Sequence, residues 1–142
     1  MAYKSFKGKW QVFGDKPAIS ILTTGQICFN KACYESFVKP ADNPAGYKYV
    51  KLYYDAEMKK IAFQLFQGKA GEFVLPINLT KTGLVAVVNG KTFLEHFGIK
   101  YQGLNRSYPV HQTTIHETSP GYKRIRKGVK GIEIHLTEYL AD

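Results

Sequence analysis

The sequence predicts a β-rich α+β domain with two short helices. Three observations lead there. Aromatic residues make up 14% of the chain, with ten tyrosines and nine phenylalanines, and these side chains suit pleated, half-buried surfaces. Short alternating apolar runs recur between clusters of Gly, Asn, Asp and Pro. Helical spacing arises in only two places, each directly behind an asparagine. At 142 residues the chain suits one packed domain, 1–142.

The elements follow in order. Residues 10–13 read as a short strand closed by Gly14-Asp15-Lys16-Pro17. Residues 19–22 and 27–29 read as strands on either side of the Thr24-Gly25 turn. Asn30 is an N-cap for about two helical turns over 31–37, with Cys33, Tyr34 and Phe37 on one side. A loop with two prolines spans 39–46. Residues 47–54 and 60–66 then flank Asp55-Ala56-Glu57-Met58-Lys59 as a hairpin. A turn over 68–71 leads to a short strand at 73–75. Residues 84–88 are a strand, Asn89 a second N-cap, and 91–97 a second helix stopped by Gly98. Residues 110–115 and 131–136 alternate as strands, with a turn at Ser119-Pro120-Gly121 between them and a loose tail from Tyr139.

The chain also echoes itself. Residues 24–37 match 82–97 when two one-residue insertions are allowed: a turn with Gly, a strand, Asn, Lys, and a helix with Glu and Phe at equal spacing. Residues 61–65 (IAFQL) find a counterpart in 132–136 (IEIHL). These matches divide the domain into two pseudo-repeats, 18–66 and 72–137, neither of which buries its apolar face alone.

The first repeat resembles the AbrB/MazE-type swapped-hairpin DNA-binding proteins. The likeness lies in Ile19-Ser20-Ile21, Gly25-Gln26-Ile27, the helix from Lys31, Gly46 and the hairpin over 49–65, in that order. It covers residues 18–66. Asn30 stands where the family usually has Pro, and Tyr34 where it often has Arg. The resemblance implies a swapped-hairpin β sheet or barrel with a basic, two-fold DNA surface, which carries over to Lys31 and, in the second repeat, Lys91. A homodimer supplies both halves in that family. Here an internal duplication is a second way to supply them.

Charge points toward polyanions. The net charge is +9, and residues 1–9 and 121–130 hold eight of those charges without a single acid. Such a concentrated field attracts nucleic acid. Within the second run, Lys123, Arg124, Arg126, Lys127 and Lys130 alternate with apolar residues and suit a row of phosphates. On residues 47–54, alternation puts Tyr47, Tyr49, Lys51 and Tyr53 on one face, an arrangement that suits stacked, unpaired bases. The bland reading of that face is a partly buried sheet surface.

Catalytic patterns are missing. No G-x-S-x-G elbow, Walker loop or dinucleotide glycine pattern occurs. Glu35 and Glu95 read as i,i+4 partners of Lys31 and Lys91. Cys28 and Cys33 with His111 and His116 give C-x4-C and H-x4-H, but the tight C-x2-C spacing of a zinc site is lacking, so the cysteines read as inert core thiols. No metal or cofactor is expected. No apolar run approaches the ~20 residues of a membrane span, residues 1–9 lack the apolar segment of a secretory signal, and the cytoplasm is the expected compartment. The sequence therefore reads as a non-catalytic, sequence-tolerant nucleic-acid-binding or regulatory protein, DNA ahead of RNA and with no membrane partner. The alternative is an interaction or assembly protein whose basic arm docks an acidic partner.

Overall fold

The computed structural model describes residues 16–68, 74–80, 86–102, 106–116 and 128–139. The expected strand at 10–13, the first residues of the strand expected at 84–88, the turn at 119–121 and the end of the tail lie outside that set, as does the basic run over 121–127.

Strands β1 (Ala18–Ile21) and β2 (Gln26–Phe29) pair antiparallel, with Ile21 opposite Ile27. The turn needs glycine at position 25. Its φ is +86°, a conformation that L side chains rarely adopt, and an added Cβ would sit 2.8 Å from Lys91 Cβ. Asn30 caps the first helix, accepting from Cys33 N–H at 2.8 Å. That helix, α1 (Lys31–Cys33), widens into a π-helical turn over Tyr34–Val38, and Cys33 and Val38 are buried. Strands β3 (Tyr49–Asp55) and β4 (Lys60–Phe66) form the expected hairpin, with Asp55 opposite Lys60. The Asp55 carboxylate accepts from Met58 N–H at 3.1 Å inside the turn.

Two short strands follow, β5 (Val74–Pro76) and β6 (Asn78–Leu79), then β7 (Ala86–Asn89) and helix α2 (Lys91–His96). The N-cap position of α2 is Gly90, not Asn89 as expected, and it offers no side chain. Packing explains the shift, because a Cβ at position 90 would lie 2.4 Å from Ile27 Cδ1. Asn89 Oδ1 reaches only Lys91 N–H, at 3.4 Å. Gly98 ends the helix at φ +66°. Strands β8 (Arg106–Pro109), β9 (His111–Ile115) and β10 (Val129–His135) complete the described elements.

These strands make two five-stranded antiparallel sheets, in the orders β6-β7-β2-β1-β8 and β5-β3-β4-β10-β9. Both sheets are open, so among the described residues there is no closed barrel. Their inner faces share one apolar core. Ile19, Ile27, Phe29 and Val88 of the first sheet meet Val50, Ile61, Phe63 and Ile134 of the second. Phe29 and Phe63 cross that boundary edge to face, with centroids 5.7 Å apart. Burying each such ring contributes roughly 1.5–3 kcal/mol. No described helix is long and apolar enough to cross a membrane.

Candidate nucleic-acid interface

The β4–β10 pair organises the polar surface. Its register sets Phe63 opposite Ile132 and Ile61 opposite Ile134, and Leu136 N–H donates to Lys59 C=O at 2.9 Å. A cleft opens at each end of this pair.

The first cleft, of about 340 Å³, lies between Ile21, Arg106 and Tyr108 of one sheet and Tyr54, Lys59 and Leu136 of the other. Gly98, Ile99, Lys100 and Tyr101 close its third side. Three cations, Lys59, Lys100 and Arg106, reach this cleft from separate turns and strands, and among the described residues no carboxylate lines it. Lys59 sits at φ +54° at the tip of the β3–β4 hairpin. The Arg106 guanidinium lies 4.2 Å over the Tyr139 ring, a cation–π contact that keeps its planar face oriented. Phe97, an exposed aromatic, packs on Tyr54 at 5.3 Å and on Phe93 at 5.0 Å, and so extends the aromatic wall outward. Glu95, expected to pair with Lys91, instead accepts from the Tyr101 hydroxyl at 3.0 Å. Sequence reasoning did not single out Lys59, Lys100 or Arg106. Each reads alone as a solvated turn or strand charge, and only tertiary pairing brings them to one opening.

The second cleft, of about 590 Å³, is lined by Phe37, Tyr47 and Leu65 facing Gln112, Thr114, Lys130 and Ile132. Lys130, the last residue of the basic run, is exposed at the start of β10. Lys123, Arg124, Arg126 and Lys127 lie outside the described residues. Lys31 and Lys91 are exposed at the starts of α1 and α2. Because β2 and β7 pair antiparallel, the two lysines project from opposite ends of that pair. Lys31 also pairs with Glu35 at 3.9 Å, both side chains well exposed.

The expected row of Tyr47, Tyr49, Lys51 and Tyr53 divides. Tyr49, Lys51 and Tyr53 share the face of β3 opposite the core-facing Val50, Leu52 and Tyr54. There Lys51 lies 5.0 Å over the Tyr53 ring, and the Tyr53 hydroxyl donates to Gln64 at 2.7 Å. Tyr47 precedes the strand, where its N–H donates to Val38 C=O at 2.8 Å. It lines the second cleft beside Leu65, a residue on the core side, instead of joining the outer row.

The cysteines do not meet the histidines. Cys28 is half-buried on β2 and Cys33 fully buried in α1, while His111 lies on β9 of the other sheet. Burial raises both thiols, Cys33 to about 12, so neither offers thiolate at neutral pH. No family model matches the chain, and neither does any curated protein or solved structure.

Proposed function

We propose that this chain is a non-catalytic nucleic-acid-binding protein, with DNA as its main partner and little sequence specificity. The observation that carries the reading is the first cleft, where Lys59, Lys100 and Arg106 converge among three tyrosines with no carboxylate among the described lining residues. Convergent cations suit phosphates, and an aromatic wall beside them suits sugars and unstacked bases.

The two clefts support a duplicated architecture of the swapped-hairpin kind. In the alignment of 61–65 with 132–136, Lys59 corresponds to Lys130 and Leu65 to Leu136. The first cleft takes Lys59 with Leu136, and the second takes Lys130 with Leu65. The alignment of 24–37 with 82–97 likewise matches Phe37 with Phe97, and each of these rings stands at one of the openings. The sheets carry the same relation. Ile27 faces Val88 and Phe29 faces Ala86 across β2–β7, the register expected if the two aligned strands are related by a local two-fold. One chain then presents two related basic, aromatic openings, with Lys130, the last residue of the basic run, lining the second.

Equilibrium binding of labelled duplex DNA, single-stranded DNA and RNA across a salt series tests the proposal. DNA should bind, and the affinity should fall steeply as salt rises. Failure to retain any of the three polymers at about 0.1 M salt, where screening acts over ~10 Å, would overturn it. Binding to an acidic protein in the absence of any nucleic-acid binding would favour the docking alternative.

A further inference from the structure

We propose that His111, His135 and Glu138 form a Zn²⁺ site that fastens the C-terminal segment to the edge of the second sheet. One nitrogen of each ring and one Glu138 oxygen all lie within 4.8 Å of one another, on three chain segments: β9, the end of β10, and the turn after it. Glu138 Oε1 is 2.9 Å from His111 Nε2, and the two imidazole rings lie 4.7 Å apart, centroid to centroid. Tetrahedral zinc with bonds near 2.0–2.2 Å holds its ligand atoms about 3.3 Å apart. The observed spacings, 2.9 Å between His111 and Glu138 and at most 4.8 Å across the cluster, bracket that value.

The surroundings favour a cation. Glu133 accepts a hydrogen bond from His135 Nε2, the carboxylate–imidazole contact that orients metal-bound histidines and leaves the lone pair on the other ring nitrogen. Lys60, facing this cluster from β4, lies 3.4 Å from Glu133 and offsets one of the two carboxylates. Two neutral imidazoles, Glu138, Glu133 and Lys60 together keep a net negative charge. Two ion pairs are the competing explanation, with His111 on Glu138 and His135 on Glu133. A neutral imidazole makes each of these contacts through one N–H, which leaves its second ring nitrogen to accept a metal ion. Half-exposed His111 and exposed Glu138 leave solvent access for entry and for a water as fourth ligand.

Calorimetric titration of the metal-free full chain with Zn²⁺ at pH 7.5 should give one ion per chain. Affinity should fall at least tenfold in His111→Ala and in His135→Ala, and should stay at the wild-type value in Cys28→Ser/Cys33→Ser. Co²⁺ should give the visible absorption of a four-coordinate nitrogen–oxygen site, lost in the same two variants. Far-UV circular dichroism checks that each variant is folded. His111 lies on an edge strand with its side chain 43% exposed, so its variant keeps the test decisive if His135→Ala unfolds. Absence of stoichiometric Zn²⁺ binding by the wild type, or wild-type affinity in His111→Ala, overturns the site. Neither result touches the nucleic-acid reading, which uses none of these residues.

Discussion

Asn30 ties the first strand to the first helix: its Oδ1 accepts from the Ala18 backbone N–H at 3.0 Å while also accepting from Cys33 N–H. Its amide nitrogen donates to Lys16 C=O at 2.8 Å. One side chain thus satisfies a helix-end donor and a strand-end donor, and fixes where the chain enters β1. Asn30→Ala removes the cap and leaves both donors without this partner. A cap is worth about 1 kcal/mol, and a poorly satisfied, partly buried donor adds roughly 1–3 kcal/mol. Urea unfolding should therefore show a loss of about 2–4 kcal/mol, with Asn30→Asp, which keeps the acceptor, losing less.

Cys33 should resist alkylation in the folded protein. Its thiol is fully buried and pushed up to about 12, and the reactive species is the thiolate. Iodoacetamide at pH 8, followed by mass spectrometry, should leave Cys33 unmodified over the time that half-buried Cys28 begins to react. Both should be labelled at once in denaturant. Rapid native labelling of Cys33 would show that α1 does not hold it in the core.

Glu133 should make stability depend on acid. Partial burial works against its ionisation, but hydrogen bonds from Thr113 and His135 and the Lys60 ammonium outweigh that and hold its pKa below the ordinary value. A carboxyl depressed in the folded state stabilises above its unfolded pKa, near ~4.3. That contribution is lost as pH falls through the folded value. Relative to wild type, Glu133→Gln should therefore cost about 1–3 kcal/mol at pH 7. The gap should narrow as pH drops below ~4. Urea midpoints measured at pH 7 and pH 3 give the comparison.

Local chemistry made much of the fold legible. The Thr24-Gly25 turn, the Asn30 cap, the hairpin around residues 55–59 and the Gly98 stop each rest on a conformational preference contained within a few residues. Asn89 misled because Ile27, sixty-two positions upstream, fills the space that a side chain at position 90 would need. Strand β8 carries little signal of its own. Only Tyr108 of Arg106–Pro109 is buried, and the pairing that makes it a strand is with β1, far upstream in sequence. The first cleft escaped notice for the same reason. Nothing at Lys59, Lys100 or Arg106 distinguishes it locally from a solvated charge, and only the tertiary arrangement of a hairpin turn, the segment after α2 and β8 brings the three together.

The cleft cations should divide nucleic-acid affinity between two ends of the molecule. Each cation on a duplex phosphate contributes a salt slope of ~0.9, and about 0.7 on a single strand. Lys59→Gln/Lys100→Gln/Arg106→Gln should therefore lower the slope on duplex DNA by up to ~3 when all three touch phosphates. Neutralising Lys123, Arg124, Arg126, Lys127 and Lys130 should lower it by up to ~4.5. If the openings are related halves of one surface, the two losses should add and each variant should retain weakened binding. If only the basic run binds, the triple variant should keep the wild-type slope. Aromatic substitutions separate the polymers. Phe37→Ala/Tyr47→Ala should weaken single strands by ~1–3 kcal/mol per stacked base and leave duplex affinity nearly unchanged. The outer row makes a further distinction, because Lys51 and Tyr53 already engage each other and Gln64. Tyr49→Ala/Tyr53→Ala should then affect single strands less than Phe37→Ala/Tyr47→Ala does. The reverse order would move single-strand recognition from the cleft to the outer face of β3.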